Sequence, residues 1–179
     1  ERAGPPQAPY RSAQREGCLM SYTTHADLGG QPGHGRVLPE AEGVLFHAPW
    51  EPRALALTLA MGATGAWNID ISRAARETLP NYRDLSYYEI WFAALQKLLA
   101  ERRLIEPDEA AAGRALHPPR PLPRKLLAPD VPAVLVQGSP TVRPATAPAR
   151  FAIGQAVRMY GGAVPHHTRL PGYVRGRRG

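Results

Sequence analysis

Cysteine is nearly absent from this sequence: Cys18 stands alone among 179 residues. A single thiol cannot close a disulfide within the chain or build a thiolate cluster. Transition-metal sites that need two or more cysteines are therefore excluded here, and any such metal belongs to a partner. Long apolar runs are also missing. None approaches the ~20 residues that cross a bilayer, and the N-terminus has no apolar core of a secretory signal. These absences predict a soluble, cytoplasmic chain with no membrane partner. Acidic residues are scarce in the last third. Residues 1–113 hold 11 basic and 14 acidic groups, whereas residues 114–179 hold 11 basic groups and Asp130 alone. That asymmetry points to an anionic partner, either nucleic acid or an acidic protein surface, and charge does not choose between them.

What is present predicts an α+β chain in four parts. Residues 1–49 read as an extended N-terminal arm. Within it, 1–19 look like an unstructured extension with Met20 as the natural start, and Asp27–Gly35 are too rich in Gly and Pro for helix or central strand. The Gly-x-Gly spacing there has no strand before it or helix after it, so it is not a phosphate loop. Residues 50–113 read as a small helical domain. Apolar residues recur at helical spacing from Trp50 to Met61. A second helix opens at Asn68, with Asp70 in its first turn, and stops before Pro80. A third follows Ser86, where Ser86 and Glu89 have capping-box spacing and Tyr88, Trp91, Leu95, Leu98 and Leu99 form one stripe to about Arg103. A short helix over Pro107–Ala112 ends at Gly113. Residues 114–149 hold nine prolines and read as a linker without helix. Residues 150–179 read as the start of a small barrel. Phe151, Ile153, Val157 and Met159 suggest one strand, Gly161-Gly162 a turn, and Tyr173-Val174 the next strand.

Candidate chemistry is sparse. His25, His34, His47, His117, His166 and His167 are scattered in loops with no i, i+4 pair on a helix, the spacing a metal site would favour. Tyr87 and Trp91 lie one helical turn apart and share a face; an aromatic stripe at that spacing is more often core than pocket.

Seven separated stretches carry a resemblance. They are His25–Gly30 (HADLGG), Phe46–Glu51 (FHAPWE), Ala60–Gly62 (AMG), Trp67–Arg73 (WNIDISR), Ser86–Trp91 (SYYEIW), Phe151–Gly154 (FAIG) and His167–Gly176 (HTRLPGYVRG). In this order and spacing, over roughly Met20 to Gly179, they resemble the nitrile hydratase β subunit. The resemblance implies an αβ enzyme, αβ or α2β2 in assembly, that adds water to a small nitrile to give an amide. It places cobalt(III) or iron(III) in a cysteine-rich loop of the α subunit, two of whose cysteines are oxidised, and gives the β chain no metal ligand. By motif position, Arg73 and Arg169 are the arginines that contact the oxidised sulfur oxygens. Tyr87 and Trp91 border the substrate cavity, and Ile69 adds apolar lining. The physical chemistry agrees: a guanidinium stays charged and offers rigidly placed donors, which suits a small buried anion better than an ammonium does. The family's β subunit continues beyond the Arg-Gly motif to complete an SH3-like barrel. The resemblance therefore implies a chain cut short at its C-terminal end, or a β gene split as in thiocyanate hydrolases.

Other readings compete. Relatives of the N-terminal half are accessory proteins that deliver metal to the α subunit, but those lack the segment Phe151–Gly179. A basic RNA-binding barrel would use the C-terminal arginines for backbone contacts. The aromatic residues, however, cluster in the helical half and offer no stacking platform among those arginines. The preferred expectation includes no nucleic acid.

Overall fold

The computed structural model describes residues 24–138, 144–162 and 167–179. The expected extension over 1–19, the start at Met20, and Cys18 and His166 lie outside the described residues.

Three helices build the core. Helix α1 spans Glu51–Ala63, with Pro52 in the first turn, where its missing N–H removes no helical hydrogen bond. Glu51 is buried there, and its carboxylate accepts the backbone N–H of His47. Helix α2 spans Ile69–Glu77, and Asn68 caps it by accepting the Ile71 N–H on its side chain at 2.9 Å. Helix α3 spans Tyr87–Glu101 behind a complete capping box, with Glu89 Oε2 accepting the Ser86 N–H at 2.7 Å. The same N–H bond, together with the Ser86 hydroxyl, holds the Glu89 carboxyl below its ordinary range.

Helix α3 packs against both α1 and α2. Its Ala94, Leu95 and Leu98 meet Trp67, Ala75 and Leu79 in one buried cluster, with Ile71, Ile90 and Leu104 packed around it. Each fully buried leucine contributes roughly 1.5–3 kcal/mol. The end of α3 is a Schellman closure without glycine. Leu104 N–H donates to Leu99 O and Arg103 N–H to Ala100 O, at 2.8 and 2.9 Å, while Arg103 sits at φ 53°. Helix α4 spans Pro107–Ala112 and ends at Gly113 in the left-handed region, as its sequence predicts.

Around this core the chain is irregular. Residues 24–50 hold no helix or strand and expose Val37, Leu38 and Leu45. The arm is pinned where His25 N–H donates to Glu77 O at the end of α2, 2.7 Å away.

Two expectations are corrected. The Pro-rich stretch is not free of helix: α5 spans Val131–Gln137. Pro132 falls in its first turn, where proline is tolerated, and no proline follows within the helix. The C-terminal stretch, in turn, holds no strand among the described residues, only an antiparallel bridge between Arg158 and Arg178. Val157 and Gly179 exchange N–H···O bonds of 2.8 and 3.0 Å, and Met159 N–H donates to Arg177 O at 2.8 Å. Ala152–Gln155 turn instead of extending, and Gly172–Val174 form a 3₁₀ turn where a strand was expected. The physical reason is exposure. Among the described residues no sheet opposes Phe151, Ile153 and Tyr173, which stay exposed, and a lone pair of strands is marginal in water. No described helix is long and apolar enough to cross a membrane.

Candidate functional site

Helix α2 supplies the site with a different face for each of three jobs. Its 3.6-residue turn points Ile71 and Ala75 into the core, Asp70, Arg73 and Glu77 to one side, and Ile69, Ser72 and Arg76 to another. A cleft opens against each of the two outer faces.

The first cleft, of about 360 Å³, lies between α2, the arm and the C-terminal segment. Arg73 and Arg169 both line it, along with Arg175, Asp27, Glu77 and His167. The two arginines expected from sequence are thus brought together from opposite ends of the fold. Each leans on a carboxylate of α2: Arg169 Nη2 donates to Asp70 Oδ1 at 3.2 Å, and Arg73 Nε lies 3.9 Å from Glu77 Oε1. Both side chains stay substantially exposed, at 46% for Arg73 and 61% for Arg169, so these ion pairs hold them loosely. His167 is far more enclosed, its Nδ1 lying 3.0 Å from Glu77 Oε2. The C-terminal segment is seated by Asp27, whose Oδ2 accepts the Gly172 N–H at 2.8 Å.

The second cleft, of about 1220 Å³, lies among α1, α2, Trp91 of α3 and the stretch from Arg124 through α5. It brings together Ile69 and Trp91, again two residues expected from sequence, with Ser72 and Arg76 between them. The Arg76 guanidinium sits 4.4 Å above the Trp91 ring. Its Nε donates to Ser72 O and its Nη2 to Ser72 Oγ, both at 3.2 Å. Burial, then the nearby Arg73 charge, lowers the Arg76 pKa from its ordinary value. Tyr87 lines neither cleft. It is exposed and stacks at a tilt on Trp91, 5.7 Å between ring centres, and edge-on to Tyr88 at 5.1 Å. Desolvation, with Tyr87 and Glu51 adding, raises the Tyr88 phenol.

Sequence reasoning missed Glu77, Asp27 and Arg76 as site residues, and weighed His167 only for metal-site spacing. Glu77 carried a signal, since it stands one turn beyond Arg73 on the same helical face. Asp27 and His167 lay within the motif stretches His25–Gly30 and His167–Gly176, but their partners are distant in sequence and local spacing does not reveal them. Among the described residues no group of three or more His, Cys, Asp or Glu is placed to hold a metal ion.

Comparison with known proteins gives two family models in register. The nitrile hydratase beta subunit N-terminal model matches residues 22–132, and the C-terminal model matches residues 140–179. The chain is 35% identical over 162 residues to the low-molecular weight cobalt-containing nitrile hydratase subunit beta of Rhodococcus rhodochrous, covering 86% of this chain and 72% of that one. It is 35% identical to the nitrile hydratase subunit beta of a Rhodococcus species, covering 86% and 69%. The Pseudomonas putida subunit is 30% identical, covering 86% and 70%. Helix α2 falls within the N-terminal match, whereas Arg169, which shares the first cleft with Arg73, falls within the C-terminal match. The chain belongs to the nitrile hydratase β-subunit family.

Proposed function

We propose that this chain works with an α subunit to hydrate nitriles to amides, clamping and walling a reaction centre that the α subunit carries. In this reading Arg73 and Arg169 donate to small anionic oxygens presented by the partner, while Ile69 and Trp91 wall the substrate cavity and Tyr87, outside it, supports Trp91 by ring contact. The partner's cobalt(III) or iron(III), when bound, supplies the activation of nitrile or water. Cobalt is favoured because the Rhodococcus rhodochrous relative is named as cobalt-containing.

The observation that carries this reading is the meeting of Arg73 and Arg169 in one cleft, although one stands on α2 and the other in the C-terminal segment. Two guanidiniums there offer up to ten N–H donors in rigid forks, of which few are engaged. An anion placed between them replaces weak surface ion pairs with charge-assisted bonds in a site that the partner closes from water. Residues 1–49 act as the arm, 50–113 as the helical domain and 114–149 as the linker. Residues 150–179 supply the opening segment of an SH3-like barrel, paired among the described residues only through the Arg158–Arg178 bridge. The complex is αβ or α2β2 and works in the cytoplasm.

The test is co-purification with the α subunit. Arg73→Lys and Arg169→Lys are expected to leave assembly intact and lower turnover about ten- to a hundredfold each, the worth of one charged hydrogen bond. Turnover equal to wild type in both variants rejects the role of the arginines.

A further inference from the structure

The second cleft carries a charge that an apolar substrate wall does not need. Arg76, Arg124 and Lys125 line it, and Asp130 is the acidic residue set against them. Arg76 is the group best placed to use that charge. Among the described residues its hydrogen bonds go to Ser72 alone, through Nε and Nη2. Those two bonds occupy two of the five N–H donors of a guanidinium. The ion pairs of α2 run instead through Asp70, Arg73 and Glu77, on the neighbouring face.

The arrangement also fixes Arg76 in place. Its flat face rests 4.4 Å over Trp91, and its inner edge is tied back to its own helix one turn earlier. Arg76 then lines the cleft together with Ile69 on α2 and Trp91 on α3. A guanidinium held this way is already desolvated on one side and ordered, so an anion meets it at little further entropic cost.

We propose that Arg76 is a specificity residue that favours nitriles bearing a carboxylate, which it holds while Ile69 and Trp91 contact the apolar part of the substrate. This rests on the reading that the cleft of Ile69 and Trp91 receives the substrate. A linear nitrile with a terminal carboxylate fits the chemistry: its anionic end pairs with Arg76 and its alkyl stem lies on the Trp91 side. Arg124 and Lys125 add a favourable field of the same sign and no bond of their own to the argument.

The experiment uses the assembled enzyme with its α subunit and one matched pair of substrates, 4-cyanobutanoate and its methyl ester. The measured quantity is the ratio of kcat/KM for the acid to that for the ester. This ratio does not depend on how much enzyme is folded. Arg76→Gln is expected to lower the ratio about ten- to a hundredfold through the KM of the acid. Arg76→Lys, which keeps the charge, is expected to retain an intermediate ratio, and added salt is expected to lower the wild-type ratio. A ratio unchanged in Arg76→Gln overturns the proposal. Ile69→Trp separates the two readings, because it crowds the space between residue 69 and Trp91 for both substrates. If it slows both while Arg76→Gln leaves the ratio alone, Arg76 is wrong and the cleft is right. If it slows neither, the substrate does not enter this cleft and both readings fall.

Discussion

Gly172 donates its backbone N–H to Asp27 Oδ2 at 2.8 Å, and so ties the C-terminal segment to the N-terminal arm across 145 residues of sequence. The tie has a second half. Tyr173 lies against Gly29 and Gly30 so closely that a Cβ on Gly29 would stand 2.7 Å from its ring. Gly30 adopts φ 77°, where a side chain costs roughly 1–2 kcal/mol. Asp27 and these glycines together set where the segment bearing Arg169 rests.

Asp27→Ala and Gly30→Ala are therefore expected to loosen residues 170–176 without melting the helices. Amide hydrogen exchange in that segment should quicken about tenfold in Gly30→Ala, in line with that backbone cost. Exchange at the wild-type rate in both variants removes the tie from the fold.

The helical core should respond to volume. Leu95 is buried against Trp67 and Leu98, whereas Phe92 on the same helix is 40% exposed. Leu95→Ala is expected to cost about 2–5 kcal/mol in chemical unfolding. Phe92→Ala, on the wet side, should cost clearly less. Equal losses would contradict the orientation of α3.

Arg103 offers a gain. It holds φ 53° at the close of α3, a conformation that burdens any residue with a Cβ. Arg103→Gly is expected to stabilise the chain by about 0.5–1 kcal/mol, because relief of the left-handed penalty exceeds glycine's extra unfolded-state freedom. A lower melting temperature in this variant would show that the arginine side chain matters more than its backbone.

Acid and base should act on α4 from opposite sides. The N–H groups of Glu106, Leu116 and His117 hold the Glu109 carboxyl down at about 2. Because the folded value is depressed, its contribution is complete above the ordinary 4.5 and fades as pH falls toward about 2. The His117 imidazole is raised by its hydrogen bond to Asp108. Its contribution is complete below the ordinary 6.5 and fades as pH climbs through the elevated folded value. The loop 106–117 should be tightest between those ordinary values. An NMR pH titration of the Leu116 and His117 amides checks this, and Glu109→Gln should erase the acid limb.

The helices were legible because their signals are local. Asn68, the Ser86–Glu89 pair and Gly113 each act within one turn of the residue they cap. The end of α3 was blurred because Arg103 stands where glycine usually marks a stop. Helix α5 was hidden by the density of prolines around it, although Pro132 lies in its first turn, where it does no harm. The strands misled because alternation in Phe151–Met159 promises a buried face, and the described chain offers nothing to bury it against. Among the candidate residues, the joint positions of Arg73 and Arg169, and of Ile69 and Trp91, followed from the family motifs. Arg76 did not, because helical spacing alone does not reveal that its side chain folds over Trp91.

A nine-residue helix that serves two hollows at once behaves like a gear between them. Each residue advances the helical wheel by about 100°. A single insertion after Asn68 would swing Arg73 off the arm side, and a single deletion would carry Arg76 away from Trp91. Loop lengths elsewhere can drift, but the register of this short rod cannot slip without disengaging both hollows together.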